Sequence, residues 1–357
     1  MKRPSTSLAR RVRSHRETLG ARAFTLVEML VVITIIGILA GLTIPAVMMG
    51  VRHATNASVA MQMTELERAC QAYKEKFGEY PPDFTGLDSS IPAVVQASRQ
   101  AILQHLSNLF PRYQPASWNA LATDVQNGWN LDINKASPSV ALTFFLGGKP
   151  DWVLDNNGDP IPPGAPGFNE TKPVKGFLGF SANQAAPFDN SPSRTGKFFE
   201  FDLTSLRCPV TAGTSGGIIM WPTKACDKNR PNTIVYFRAD NGNYFCNGSN
   251  TTSQQALLKN CGFVYPAADS NLTTNYNFVT VNGIQTRLIT WINSSSIQII
   301  CAGRDIAYSP LLNNRQTTPA DPASDSPLKF PSGENYSANT FDDITNFSGG
   351  KLEDKIP

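Results

Sequence analysis

Histidine, cysteine and clustered carboxylates are the side chains able to carry chemistry here, and they are sparsely placed. The three histidines are His15, His53 and His105. A Ser-His-Asp relay or a zinc site would have to rest on His105 or on cysteine alone, and His105 falls within a helical stretch where it reads as a packed or solvated residue. The six cysteines, Cys70, Cys208, Cys226, Cys246, Cys261 and Cys301, contain no C-x-x-C pair, which disfavours zinc. In an oxidising compartment local loop closure favours the bridges Cys208–Cys226 and Cys246–Cys261, leaving Cys70 and Cys301 buried, bonded or free. Asp155-Asn-Asn-Gly-Asp159 alternates oxygens as a calcium loop does, but it lacks that motif's glycine position and distal glutamate and reads as a turn. GTSGG at 213–217 lacks the lysine of a phosphate loop. No enzyme is expected from this inventory.

One carboxylate is placed unusually. Residues 24–51 read FTLVEMLVVITIIGILAGLTIPAVMMGV, and Glu28 is the only charge among them. At about 1.5 Å per residue, some 20 helical residues cross a bilayer, so this run suffices as a membrane helix. It is too long for the apolar core of a cleaved secretory signal. A lone carboxylate in hydrocarbon costs several kcal/mol unless it finds a partner or reaches the interface. Glu28 lies one helical turn from Phe24. Gly37 and Pro45 weaken the helix between them, through backbone freedom and a missing donor.

Charge is asymmetric around that run. Residues 1–23 hold seven lysines and arginines against Glu17, giving +6 of a whole-chain +3, so the remainder is −3. Basic residues beside an apolar span hold that end in the cytoplasm. The acidic remainder disfavours nucleic acid as a partner.

The segment ARAFTLVEML resembles the prepilin-peptidase recognition motif of type IV pilin-like proteins and type II secretion pseudopilins. The resemblance implies a cut between Ala23 and Phe24, with Ala23 standing where glycine is usual. It further implies methylation of the new Phe24 amino group, and pairing of Glu28 with the Phe24 amine of a neighbouring subunit. Partners implied are the prepilin peptidase, other pilin or pseudopilin subunits and an inner-membrane assembly platform. Gly37 and Pro45 also stand where such helices commonly carry these residues.

Beyond the span, Val59, Met63, Leu66, Cys70, Tyr73 and Phe77 recur in steps of four and three, an apolar stripe expected to pack against the rest of the head. Gly78 and Pro81-Pro82 are its stop signals. AYKEKFGEYPPDFTGLD resembles the helix exit of the type II secretion major pseudopilin, and IICAGRD and DDITNF resemble that family's last strand and terminal loop. That likeness implies calcium in the C-terminal loop. Asp342 and Asp343 lie in the matching segment and Asp305 is adjacent by inference. Capping by Asp342 or Asp343 remains the alternative.

Between these ends only a coarse reading is possible. Helices are expected from Ser90 to Leu109, Ser117 to Val125 and Ser139 to Leu146. Strands are expected at Lys197–Leu203, Thr233–Arg238, Gln285–Ile292 and Ile297–Cys301. Residues 148–195 and 309–340 read as loops. The 26 glycines, 26 prolines and only 17% charged residues fit a loop-rich head.

The expected fold is α+β. A long N-terminal helix, first membrane-spanning and then amphipathic, packs on an antiparallel sheet. The expected organisation is a basic leader at 1–23, a membrane helix at 24–51, its amphipathic extension at 52–78 and an extracytoplasmic head at 79–357, with a large insertion at about 90–295. The expected function is structural: a single-pass inner-membrane subunit of a type II secretion pseudopilus that polymerises through its helix to drive export. The alternative is a type IV pilus subunit for adhesion, twitching or DNA uptake.

Overall fold

The computed structural model describes residues 25–87, 92–210, 213–220, 233–239, 244, 268–269, 278–281, 284–287, 292–301, 329–332 and 343–357. Two compact units divide the chain, Met1–Arg52 and His53–Pro357.

Helix α1 spans Leu26–Phe77. Its start is fixed by Thr25 and its end by Gly78, whose φ of +87° suits a residue without a Cβ and whose N–H bonds the Lys74 carbonyl at 2.7 Å. Within the second unit the expected stripe is buried: Val59, Met63, Leu66, Cys70 and Tyr73, together with Ala69, while Phe77 packs at the margin. The helix α2 is Pro92–Leu109 and α3 is Trp118–Trp129. Ser117 caps α3, its hydroxyl accepting from the Ala120 N–H, and Asn130 in the left-handed region ends it four residues later than expected.

The strands are short: β1 Pro150–Trp152, β2 Val174–Phe177, β3 Leu206–Arg207, β4 Ile219–Met220, β5 Ile234–Arg238, β6 Ala268–Asp269, β7 Phe278–Val281, β8 Ile284–Arg287, β9 Ile297–Cys301, β10 Lys329–Phe330 and β11 Ile344–Thr345. The central sheet is antiparallel, in the order β11-β9-β5. Its register pairs Ile234 with Cys301, Tyr236 with Ile299 and Arg238 with Ile297. Successive residues of a strand alternate faces. Ile234, Tyr236, Ile297, Ile299 and Cys301 therefore share one face, and they share one hydrophobic core with the α1 stripe. This is the expected α+β arrangement. β1–β2, β3–β4 and β7–β8 are antiparallel pairs, and β6–β10 is parallel.

The same core takes in an aromatic cluster from the middle of the chain. Trp129 lies 4.9 Å from Phe144, 5.0 Å from Phe188 and 5.2 Å from Phe180 between ring centroids. The Trp152 indole N–H donates to the Trp129 carbonyl at 3.0 Å. Strand β5, inside the span expected as insertion, pairs along its whole length with β9.

Five local expectations change. Residues 309–340 are not all loop, since β10 lies there and pairs with β6. Lys197–Leu203 is not a strand. Its aromatic residues pack on the core, and the Phe198 N–H bonds the Leu146 carbonyl rather than a neighbouring ladder. Residues 148–195 are not all loop, since β1 and β2 lie there, held by the buried Trp152 and Phe177. Ser139–Leu146 begins with a turn and gives way to a π-helical turn at Thr143–Gly147, every residue of which is buried. Within Gln285–Ile292 the strand ends at Arg287, Ile292 lies in a turn, and residues 288–291 fall outside the described set.

Candidate functional site

The first unit presents an apolar helix with one carboxylate. From Leu26 to Val51 the large aliphatic side chains of α1 are exposed, and this is the one helix among the described residues long and apolar enough to cross a membrane. Thr34 and Thr43 turn their hydroxyls back onto the carbonyls of Leu30 and Leu39, at 2.7 and 2.9 Å, which satisfies both groups without water. The helix continues through Gly37 and Pro45.

Glu28 is held from within its own turn. One carboxylate oxygen, Oε2, accepts from the Thr25 amide at 2.8 Å and from the Thr25 hydroxyl at 2.9 Å. The Glu28 amide donates back to the Thr25 hydroxyl at 3.2 Å. This is a capping box, in which Thr and Glu three residues apart satisfy each other's exposed amides at a helix start. Sequence reasoning singled out Glu28 for its charge and missed Thr25, although Thr-x-x-Glu ahead of an apolar run is a readable signature. Ala23 and Phe24 lie outside the described residues.

The second unit holds a buried polar network at the end of α1. Tyr73 Oη and His105 Nε2 are 2.9 Å apart, and His105 Nδ1 lies 2.8 Å from Glu79 Oε1. An ionised carboxylate only accepts, so the proton sits on Nδ1, and Nε2 receives the Tyr73 hydroxyl. Arg238 Nη2 donates to Glu79 Oε2 at 2.7 Å, and Nη1 to the Tyr80 carbonyl at 2.8 Å. Hydrogen bonding from His105, reinforced by the charge of Arg238, holds the Glu79 carboxyl down to about 2 against the cost of partial burial. Burial lowers His105 despite Glu79, keeping it neutral, and burial pushes the Tyr73 hydroxyl well up. A phenol so buried and so weakly acidic makes a poor nucleophile, so the chain Tyr73–His105–Glu79 serves as a brace between α1, α2 and β5. His105 is thus packed rather than solvated.

The remaining candidates separate. Asp155 forms a turn, its Oδ1 accepting from the amides of Asn157 and Asp159 at 2.8 and 2.9 Å. Cys208 is a buried free thiol whose pKa burial pushes up to about 12, making it a weaker acid. Cys208 follows β3 into the core, where Ser215 bonds its sulfur, and Cys226, its expected bridge partner, lies outside the described residues. Cys70 is also a buried free thiol, and Cys301 is buried on β9. Cys226, Cys246 and Cys261 lie outside the described residues, as do Asp305 and Asp342. Asp343 is 2% exposed at the start of β11, its carbonyl accepting from the Leu352 amide. No group of three or more metal-ligating side chains occurs among the described residues.

Comparison with known proteins bears on the first unit and on the head. The family described as "Prokaryotic N-terminal methylation motif" matches residues 19–44, the stretch that contains Glu28 and the start of α1. Type II secretion system core protein G of Klebsiella pneumoniae is 38% identical over 141 residues, which cover 39% of this chain and 91% of that protein. The chain belongs to the type II secretion system core protein G family. It is a pseudopilin with an N-terminal methylation motif. The core protein G of Escherichia coli K12 is 38% identical over 78 residues, and that of a Klebsiella michiganensis strain 39% over 80 residues. Against these two, the chain spans about half the relative's length, 54% and 56%. No solved structure matches significantly.

Proposed function

We propose that this pseudopilin is a structural subunit of a type II secretion pseudopilus that polymerises through its N-terminal helix. A prepilin peptidase cuts between Ala23 and Phe24, and the Phe24 amine is methylated. Until assembly residues 24–51 hold the chain in the inner membrane, leader inside and head outside. In the filament Glu28 exchanges the Thr25 donors for the Phe24 amine of a neighbouring subunit, which fixes register more than it adds stability. Filament growth then pushes exported cargo.

The observation that carries this reading is the apolar, exposed stretch of α1 from Leu26 to Val51 with Glu28 as its sole charge, most of it inside the methylation motif. An aliphatic surface of this extent is stable only in lipid or against other copies of itself. The names of the relatives favour secretion over a pilus for adhesion or twitching. The test is cysteine cross-linking between the helices of adjacent subunits in cells carrying the secretion machinery. Ladders of cross-linked multimers are expected, whereas monomer alone in a secreting cell contradicts the reading.

Calcium belongs to the same proposal. Asp305, Asp342 and Asp343 would hold it, supplying hard oxygen ligands that order the C-terminal loop. Support comes from the likeness of the segment holding Asp342 and Asp343 to the terminal loop of the major pseudopilin, and oxygen ligands of this kind suit calcium.

A further inference from the structure

A cavity of about 330 Å³ opens between the segment that follows α1 and helix α2, beside the network described above. This volume falls in the range of small-ligand sites, about 300–1,000 Å³. Pro82, Phe84 and Ile102 give it apolar walls. Its polar groups are Glu79, Asp83, Thr85, Ser98, Gln104, His105, Asn108 and Arg238.

The hydrogen bonds already made decide what could enter. Arg238 gives one N–H to Glu79 and one to the Tyr80 carbonyl, and both His105 nitrogens are engaged. The Ser98 hydroxyl spends its proton on the Thr85 carbonyl at 2.9 Å. Asp83 accepts one backbone amide on each oxygen, from Thr85 at 2.9 Å and from Arg238 at 3.0 Å, and a carboxylate oxygen has room for a second donor. The Thr85 hydroxyl is buried beside the Asp83 carboxylate, and its oxygen accepts no hydrogen bond from the described residues. Spare N–H groups remain on Arg238, Gln104 and Asn108, and the unused acceptors are the oxygens of Asp83, Thr85 and Ser98. Its formal charge, with His105 neutral, is one negative more than positive when Asp83 is ionised. Burial raises the Asp83 carboxyl above its ordinary range, which a bound cation would reverse.

We propose that this cavity binds an alkylammonium group, its ammonium donating to Asp83 and Thr85 and its aliphatic stem lying against Pro82, Phe84 and Ile102. An ammonium has three donors and a positive charge, which matches the free lone pairs of Asp83 and Thr85 and the net negative charge of the lining. A hydrogen bond between charged partners is about twice as strong as a neutral one. The group arrives either as a lysine side chain of another protein or as a free amine, and the two sources share this chemistry.

The test titrates the full-length protein in detergent with n-butylammonium, with n-butanol as the uncharged match, and with the peptide N-acetyl-Gly-Lys-Gly-amide. Saturable binding of the ammonium, at least about tenfold tighter than butanol, is expected from the charged pair. Binding of the peptide as well assigns a lysine side chain, and binding of the small amine alone assigns a free amine; both support the proposal. Equal affinity for butylammonium and butanol overturns it, as does no binding of either ammonium. Asp83→Asn should weaken ammonium binding at least about tenfold, the scale of one charge-assisted bond. Since Asp83 also holds backbone amides, the exposed Ala101 at the edge of the cavity provides a second variant. Ala101→Phe should block ammonium binding while leaving the melting temperature unchanged. Undiminished binding in the folded Ala101→Phe protein places the ligand elsewhere and overturns the proposal.

Discussion

A single oxygen of Glu28 accepts from both the amide and the hydroxyl of Thr25, at 2.8 and 2.9 Å. The carboxylate that the proposed assembly needs is thus already satisfied within its own helix start. Release from Thr25 becomes part of incorporation, and the Thr25 hydroxyl is as much a component of the site as the acid. Glu28→Ala should leave membrane insertion intact, because it removes the only charge from the span, and should abolish or slow incorporation into filaments. Fractionation followed by filament shearing checks both. Normal filament yield from the variant would remove Glu28 from assembly.

The Glu79–His105–Arg238 network makes the head sensitive to acid. Glu79 is depressed in the folded state to about 2, so its contribution is complete above the ordinary carboxylate range near 4.5 and is lost as pH falls toward 2. His105 is lowered from 6.5, so the unfolded chain binds its proton first and stability begins to fall below that value. Both effects have the same sign: stability rises with pH up to about neutrality. Thermal unfolding from pH 7 to pH 2 should show this slope. The double variant Glu79→Gln, His105→Gln should start less stable and lose most of the slope; a slope that survives it would locate the acid sensitivity elsewhere.

Gly128 sits inside α3, where helix propensity alone favours alanine by about 1 kcal/mol. A Cβ at Gly128 would lie 1.7 Å from the Phe188 carbonyl oxygen, a backbone atom that cannot swing away. Overpacking of this kind costs about 1–3 kcal/mol or more, so Gly128→Ala should destabilise. Denaturant unfolding reads the sign directly, and a stabilised variant would show that α3 and the Phe188 segment are not packed this closely.

Calcium is a proposal that stability can test. If the C-terminal aspartates bind it, free calcium at 100 times the dissociation constant stabilises the head by ~2.7 kcal/mol. Chelator should lower the melting temperature, magnesium should restore it poorly because of its stricter octahedral geometry, and Asp342→Ala with Asp343→Ala should abolish the response. Indifference to chelator in the unmutated protein would return these residues to capping or plain structural roles.

Local patterns carried the parts of the fold that were legible. The α1 stripe from Val59 to Tyr73, its stop at Gly78, the start of α3 after Ser117 and strand β9 all follow from periodicity or from residue preference. Lys197–Leu203 misled because its aromatic enrichment serves the core near Leu146 rather than a ladder. The central brace was invisible for a different reason. Glu79 meets His105 across 26 positions and Arg238 across 159, and no local pattern encodes such a meeting. At the membrane site the charge of Glu28 was conspicuous, and its consequence for Thr25 lay three residues away, unread.

The central claim is that this chain is processed and assembled as a pseudopilin, and the mature N-terminus tests it most directly. Mass spectrometry of protein purified from membranes of a cell with an active prepilin peptidase should find a chain beginning at Phe24 and carrying one methyl group on its amine. An intact leader, or a terminus near Ala46 at the far end of the apolar run, would contradict the account.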